Sequence, residues 1–321
     1  KETSMPEGVF SMVFGSGVGE ALVKHPAMKA VGFTGSLHGG KAICDMAAAR
    51  PHPIPVFAEM SSINPVVLLP QALSERGDTI ASQLSDSVVL GVGQFCTNPG
   101  VVIGVRSPDF TAFVNKFMAE MSSKPNKTML NSGALKSYQK GCETLIAHPG
   151  VKVLSATQGS DNEATTYLFQ GDAGLLLSGD KLLQEEVFGP ATVVIEAKDQ
   201  QELLACIAAM HGQLTATIIG ELDELLESTV LISLLEEKAG RVLINGYPTG
   251  VAVCDSMVHG GPFPATSDSR GTSVGTLAID RFLRPHCFQN YPDSLLPDAL
   301  KNSNPLNIVR LVDGAKTNSA I

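Results

Sequence analysis

The amino-acid sequence predicts an α/β fold built on largely parallel sheets. Short apolar runs rich in β-branched residues alternate along the chain with segments whose apolar residues recur every three to four positions. With 321 residues, of which 44% are hydrophobic and 17% charged, the chain is long enough to bury a full core and to form two domains. Such alternation is typical of parallel strands that are joined by helices packed on the sheet.

The predicted strands are the short apolar runs, many of them next to glycine or proline. They cover residues 9–14, 30–34, 55–59, 65–69, 101–105, 191–195, 215–219 and 241–244. Residues 306–312, near the C-terminus, are a further candidate for a strand.

The predicted helices lie between these strands. Segment 74–90 places Ile80, Leu84 and Val88 four positions apart, which puts them on one helix face. Comparable patterns predict helices at residues 37–50, 200–210 and 223–238. Residues 250–275 are rich in glycine, proline and serine and lack periodicity. They predict a long loop, which in a compact domain is usually functional or mobile.

The composition indicates which binding partners and which cell compartment to expect. A net charge of -9 and no basic cluster argue against a nucleic-acid surface. The sequence contains neither an apolar run long enough to span a bilayer nor a signal-peptide pattern at its first residues. The six cysteines are scattered singly, without metal-ligand spacing. We therefore expect a cytoplasmic protein with reduced thiols and no membrane or nucleic-acid partner.

Cys96 is the candidate nucleophile of the sequence. It follows a predicted helix and lies in the glycine-rich string at residues 90–100. Glycines permit unusual backbone angles and the close approach of another molecule, and an ionised thiol is strongly nucleophilic. A free cysteine is also a common buried apolar residue, so the local pattern alone leaves both interpretations open.

A turn between a strand and a helix is a candidate phosphate site. Gly35 and Ser36 follow the predicted strand that ends at Thr34 and precede the predicted helix. The free N–H groups at a helix N-terminus attract phosphate, although Ser36 is equally suited to be an ordinary N-cap. The glycine cluster at residues 15–19 does not match the G-x-G-x-x-G fingerprint and carries little weight.

Two acidic positions complete the candidate chemistry. Glu59 ends an apolar strand, where desolvation can prepare a carboxylate for general-base work; a solvated strand-end glutamate is the plainer alternative. The segment at residues 185–190 combines paired acids with Phe188 and a glycine–proline turn, and by itself it also fits a simple helix exit.

In order along the chain, these elements resemble the aldehyde dehydrogenase superfamily. The matching elements are Phe33-Thr34-Gly35-Ser36, Glu59, Gly93-Gln94-Phe95-Cys96, Glu186-Val187-Phe188-Gly189-Pro190 and Asn245. Residues 259–268 and 281–285 look like the branch of 2,5-dioxopentanoate (α-ketoglutarate semialdehyde) dehydrogenases, and bacterial NADP-dependent fatty-aldehyde dehydrogenases look similar there.

The resemblance implies oxidation of an aldehyde to a carboxylic acid with NADP or NAD and without a metal. The expected substrate is 2,5-dioxopentanoate or another semialdehyde. Cys96 would form a thiohemiacetal and then a thioester, and Glu59 would activate the water that hydrolyses the thioester. The residues implied at the cofactor are Thr34, Gly35, Ser36, Glu186 and Phe188.

The resemblance also implies a domain organisation. The first residues of the chain match a point well inside the family's cofactor domain. We therefore expect a C-terminal fragment that lacks the first strands of the dinucleotide fold, a ribose-binding lysine and an oxyanion-hole asparagine. A partial Rossmann-like cofactor domain is expected at residues 1–60 and the α/β catalytic domain at 61–275. Residues 276–321 form a tail, a candidate oligomerisation segment, and the full-length protein is expected to be a homo-oligomer.

Several alternatives remain at this point. The residues that follow Glu59 are Met60-Ser61-Ser62-Ile63, where many members of the family have two glycines and a lysine after the general base. An anionic substrate needs a cation, for which Arg270 and Arg284 are weak candidates. The other possible functions are a CoA-acylating or fatty-aldehyde dehydrogenase, a catalytically incompetent fragment that acts in assembly, and a cysteine hydrolase. The hydrolase requires a histidine paired with Cys96.

Overall fold

The computed structural model describes residues 4–15 and 17–321. The chain divides into a large unit that ends at Arg281 and a small unit, Phe282–Ile321. In the described part of the chain, no helix is both long and apolar enough to cross a membrane.

The large unit begins with two helices and a two-stranded sheet. The elements are α1 (Val18–Lys24), β1 (Val31–Thr34), α2 (Leu37–Ala48) and β2 (Val56–Glu59). Strands β1 and β2 are parallel and in a register that sets Thr34 beside Glu59. Because helix α2 crosses between them, both strands end at the same edge, which brings the predicted phosphate turn next to the predicted base.

The main sheet has seven strands. They are β3 (Val66–Leu68), β4 (Val101–Val105), β5 (Val151–Ala156), β6 (Tyr167–Asp172), β7 (Ala191–Ala197), β8 (Gln213–Ile219) and β9 (Ala239–Ile244), in the spatial order β5-β6-β7-β4-β3-β8-β9. Only the pair β5 and β6 is antiparallel; all other neighbours in this sheet run parallel.

Helices cover both faces of this sheet. They are α3 (Pro70–Val89), α4 (Pro108–Ser123), α5 (Ser132–Ala147), α6 (Ala173–Leu177), α7 (Gln200–Ala209), α8 (Leu222–Glu227) and α9 (Thr229–Lys238). Alternate residues of each strand enter different cores: Val66 and Val102 join one buried cluster, and Val67 and Ile103 join the other. The central strands are therefore apolar on both sides, as parallel sheets require.

The small unit contains an antiparallel hairpin of β10 (Arg310–Val312) and β11 (Ala315–Thr317). Residues 306–312 were predicted as a strand, but only residues 310–312 form one. The domain boundaries predicted at residues 60 and 275 stay predictions.

The predicted α/β fold with a largely parallel sheet is confirmed. The predicted strand at residues 9–14 is wrong: these residues form turns and coil, and Phe10 and Phe14 are 76% and 85% exposed. The predicted helix 223–238 is two helices that meet at Ser228. Strands β5 and β6 were not predicted, and β5 lies at the sheet edge with a mostly exposed or half-buried pattern that weakens the apolar signal.

Candidate active site

Glu59 is fixed at the end of β2 by the long loop that the sequence predicts at residues 250–275. The loop pairs with the strand, since Met60 N–H donates to Ala265 O (2.8 Å) and Ser267 N–H donates to Ala58 O (2.9 Å). Glu59 forms an isolated antiparallel bridge with Thr266 and is only 4% exposed. The loop therefore covers the carboxylate and removes it from bulk water.

The same loop brings His259 and Ser273 to Glu59. His259 Nε2 lies 3.1 Å from Glu59 Oε1, and the Ser273 hydroxyl donates to Glu59 Oε2. The His259 backbone N–H donates to Thr272 Oγ1 at 2.8 Å. Gly261 makes this path possible: its φ is +151°, and a Cβ atom there would lie 2.0 Å from Gln213 O.

Cys96 follows a turn with left-handed backbone conformations. The φ angles of Gly91, Val92 and Gly93 are +57°, +59° and +65°. A Cβ atom on Gly93 would lie 2.2 Å from the carbonyl oxygen of Gly189. Glycine at position 93 thus allows the thiol-bearing loop to contact the segment at residues 186–190 directly.

A fully buried asparagine holds the thiol-bearing loop in place. Asn64 Nδ2 donates to the carbonyl oxygens of Cys96 and Asn98, both at 2.9 Å, and Asn64 Oδ1 accepts from Thr215 Oγ1 at 3.0 Å. The Ser62 hydroxyl lies 2.8 Å from Asn64 Oδ1. Ser62 therefore takes part in a buried polar network at a position where many members of the family have glycine.

These elements bring Cys96, His259 and Glu59 together. Cys96 Sγ lies 3.3 Å from His259 Nε2, and the sulphur, nitrogen and carboxylate oxygen all lie within 4.8 Å of one another. His259 Nδ1 is buried without a hydrogen-bond partner among the described residues. A proton on Nδ1 would have no acceptor, so the neutral ring carries its proton on Nε2, between the sulphur and the carboxylate.

The electrostatics of the cluster keep its two acidic groups in different protonation states. Burial, together with the charge of Glu59, raises the pKa of the Cys96 thiol to about 12. Burial acts to raise the pKa of Glu59, but hydrogen bonds from His259 and Ser273 outweigh it and lower this pKa below its usual value. At neutral pH the arrangement is a thiol beside an ionised carboxylate.

Glu186 and Phe188 lie beside the cluster and line a cavity that Ser62 and Asn98 also line. Burial, and secondarily the charge of Glu59, raises the pKa of Glu186 to about 8, so at neutral pH this carboxyl is mainly protonated and can donate a hydrogen bond. Ser61 Oγ accepts from the Glu186 backbone N–H at 3.3 Å. The ring of Phe188 is 42% exposed and can stack on a flat ligand.

The turn at Thr34, Gly35 and Ser36 is exposed at the N-terminus of α2. Ser36 Oγ accepts from the Gly39 N–H at 3.2 Å, so the N-cap role is present. The Gly35 N–H donates to Glu59 O at 3.1 Å, which places the turn directly beside the cluster. The exposed N-terminus of this 12-residue helix has free backbone N–H groups that could hold a phosphate.

The two arginines that we named as weak candidates for substrate ligands stay predictions. Arg270 is paired with Asp268 at 2.6 Å, and Arg284 belongs to the small unit. Asn245 directly follows β9 and makes two hydrogen bonds with the backbone of Gly220: its Nδ2 donates to Gly220 O at 2.8 Å, and its Oδ1 accepts from the Gly220 N–H at 3.1 Å. Arg241 was not predicted: its Nη2 donates to the carbonyl oxygens of Pro248 and Gly250 at 2.8 and 3.2 Å, and its Nε is buried without a hydrogen-bond partner among the described residues.

His259, Ser273 and Asn64 carry no local sequence pattern that predicts a role at the site. Residues 259–268 were noted as a branch signature, without a role for the histidine. The lack of periodicity at residues 250–275 was the only local signal that the segment is functional. His259 is the paired histidine that a cysteine hydrolase would require, so the geometry alone permits acyl transfer through Cys96 followed by attack of a water molecule that Glu59 activates.

Comparison with known proteins identifies the family. The profile of the aldehyde dehydrogenase family matches residues 1–263, and the chain belongs to this family. It is 52% identical over 98% of its length to the alpha-ketoglutaric semialdehyde dehydrogenase of Acinetobacter baylyi. It is 50% identical over the same share to alpha-ketoglutaric semialdehyde dehydrogenase 2 of Azospirillum brasilense. The chain spans about 60% of the length of these curated relatives.

Solved structures give the same fold. The gamma-glutamyl-gamma-aminobutyraldehyde dehydrogenase of Burkholderia cenocepacia aligns over 82% of this chain and 52% of its own, with a TM-score of 0.66 and 20% identity. At this level of identity the likeness shows the fold alone.

Proposed function

We propose that the protein oxidises an aldehyde to a carboxylic acid with NADP or NAD, through a thioester on Cys96. The observation that carries the proposal is the contact of Cys96, His259 and Glu59 in a chain of the aldehyde dehydrogenase family. The thiol of Cys96 provides the nucleophile, and Glu59 provides an ionised base in the same buried place.

The first step is attack of the Cys96 sulphur on the aldehyde carbon. The thiol proton passes to the Glu59–His259 pair, and the product is a thiohemiacetal. The Cys96 backbone N–H contributes to holding the oxyanion. His259 acts as a positioning residue, because its Nε2 proton contacts both the sulphur and the carboxylate.

A bound NAD(P) would supply the acceptor for the hydride that leaves the carbon attached to Cys96. Thr34, Gly35 and Ser36 would hold its pyrophosphate at the N-terminus of α2, Glu186 its ribose, and Phe188 would orient its ring. The proton that the Glu59–His259 pair took from the thiol is released to solvent. The thioester that remains on Cys96 is then hydrolysed: Glu59 takes a proton from the attacking water and returns it to the departing Cys96 sulphur.

We assign 2,5-dioxopentanoate or a similar semialdehyde as the substrate. Two relatives that are 50–52% identical are named for the semialdehyde of alpha-ketoglutarate. The carboxylate of such a substrate requires a cation, and Arg241 is a further candidate beside Arg270 and Arg284, because its Nε is buried without a hydrogen-bond partner among the described residues.

We also propose cytoplasmic localisation and a homo-oligomer of the full-length protein. All six cysteines are free thiols in the described structure, which agrees with a reducing compartment. The β10–β11 hairpin offers unpaired strand edges for a second copy.

The test is reduction of NADP or NAD with 2,5-dioxopentanoate, compared with the uncharged aldehyde pentanal. It is run on this chain and on a chain extended at its N-terminus to the length of the curated relatives. Cys96→Ala is expected to abolish reduction. Glu59→Gln is expected to lose about 10²- to 10⁴-fold in steady-state turnover, because the base that takes the proton from the attacking water is missing.

The control variant Cys254→Ala removes an exposed thiol and keeps full activity. Activity that survives Cys96→Ala contradicts the mechanism, and reduction that requires CoA supports the acylating alternative. Activity confined to the extended chain supports the fragment expectation. Inactivity of both chains contradicts the proposed function.

A further inference from the structure

The Cys96–His259–Glu59 cluster presents three different metal-ligand atoms in one place. One ligand atom of each residue lies within 4.8 Å of those of the other two, and His259 and Glu59 are 2% and 4% exposed. Thiolate sulphur, imidazole nitrogen and carboxylate oxygen are the ligands that Zn²⁺ prefers. We propose that these groups form a Zn²⁺ site that removes the Cys96 thiol from reaction.

The distances suit a tetrahedral zinc ion. Bonds of about 2.3 Å to sulphur and about 2.0–2.2 Å to nitrogen and oxygen separate tetrahedral ligand atoms by roughly 3.3–3.6 Å. The sulphur–nitrogen and nitrogen–oxygen distances are 3.3 and 3.1 Å. Shifts of a few tenths of an ångström in these two distances, and closure of the third, form the site without rearrangement of the backbone.

The surroundings of the three ligands are already ordered. Ser273 donates to Glu59 Oε2, which leaves Oε1 directed at His259, and Asn64 fixes the carbonyl of Cys96. Contacts that orient ligands in this way increase metal affinity. Three protein ligands leave the fourth position of the metal for water.

The chemistry of binding balances without oxidation or reduction. As the zinc–sulphur bond forms, the Cys96 thiol releases its proton to the solvent, and the proton on His259 moves from Nε2 to Nδ1. Nδ1 has no partner among the described residues, and burying that proton unpaired lowers the affinity by about 10- to 100-fold. We therefore expect reversible binding that a chelator removes. The site requires only this geometry and is independent of the reaction proposed above.

The experiment uses Co²⁺ as a spectroscopic substitute for Zn²⁺ on this chain. We expect one equivalent of Co²⁺ to produce a thiolate charge-transfer band and the intense visible bands of tetrahedral cobalt, and Zn²⁺ to displace it. Cys96→Ser abolishes the charge-transfer band, and His259→Gln weakens binding. Ser273→Ala, which removes the contacts of this hydroxyl with Glu59 Oε2 and with His259 O, weakens it by about 10- to 100-fold.

The matched control is Cys254→Ser with Cys287→Ser, which removes the two exposed thiols and leaves the spectrum unchanged. Zn²⁺ is also expected to protect Cys96, and not Cys254, from iodoacetamide, as read by peptide mass spectrometry. A charge-transfer band that survives Cys96→Ser, or one that disappears in the control, overturns the proposal. Cys96 labelling that Zn²⁺ does not slow overturns it as well.

Discussion

The reactivity of Cys96 is controlled by burial and by one neighbouring charge. Burial and the carboxylate of Glu59 raise the pKa of the thiol to about 12, so little thiolate is present at neutral pH. Glu59→Gln removes the charge and is expected to speed alkylation of Cys96 by iodoacetamide at pH 8 about tenfold, because a nearby like charge shifts a pKa by one unit or more. Peptide mass spectrometry measures the rate.

Glu185→Gln is the control for this prediction, since Glu185 is an exposed carboxylate near the same cavity. Its removal should leave the alkylation rate unchanged. An unchanged or slower rate in Glu59→Gln would show that the carboxylate does not suppress ionisation of the thiol.

Among the elements, the turn before Cys96 depends most strictly on a glycine. Gly93→Ala combines a φ of +65° with a Cβ atom 2.2 Å from a backbone oxygen, which cannot move aside. We expect it to lower the free energy of unfolding by about 2–5 kcal/mol, from left-handed strain plus overpacking. Urea denaturation measures the loss.

Gly179→Ala separates the effect of left-handed backbone strain from that of overpacking. Gly179 has a φ of +73°, but a Cβ atom there meets nothing within 4 Å. Its alanine variant should lose only the conformational part, about 1–2 kcal/mol. Equal losses at the two positions would mean that contact with the segment at residues 186–190 does not constrain the turn.

For the whole molecule, Glu186 couples folding to pH. Burial, with a smaller contribution from Glu59, raises its pKa from 4.5 to about 8, so the folded chain binds this proton more tightly than the unfolded chain does. Its contribution is fully present below about pH 4.5 and is lost as pH rises to about 8. Glu186→Gln is expected to flatten the decline of stability between about pH 5 and pH 8 in urea titrations.

The lowered pKa of Glu59 does not interfere with this measurement, because its stabilising contribution is lost only as pH falls below about 4.5. Stability in Glu186→Gln that still declines as steeply over the same range would assign the dependence to other groups.

The sequence determined the fold class and the order of the chemical groups. Buried parallel strands such as β4 and β8 are continuous apolar runs, and this local signal is independent of their neighbours. The edge strand β5 lacks a continuous apolar run, since only part of its surface is buried. Residues 9–14 do form an apolar run, but they are exposed and pair with no strand. The order of the motifs along the chain predicted the roles of Cys96, Glu59 and Glu186.

Only the tertiary structure decided which groups meet. His259 is 200 positions from Glu59 and 163 from Cys96, and no local pattern links residues so far apart. The contact exists because an aperiodic loop pairs with β2 and because glycines let backbones approach within van der Waals distance. The same packing shields Glu186 from solvent and brings hydrogen-bond donors to Glu59, and thereby shifts their pKa values in opposite directions. A pKa depends on the solvent and charge around a group, so the sequence could name these carboxyls but not their protonation states.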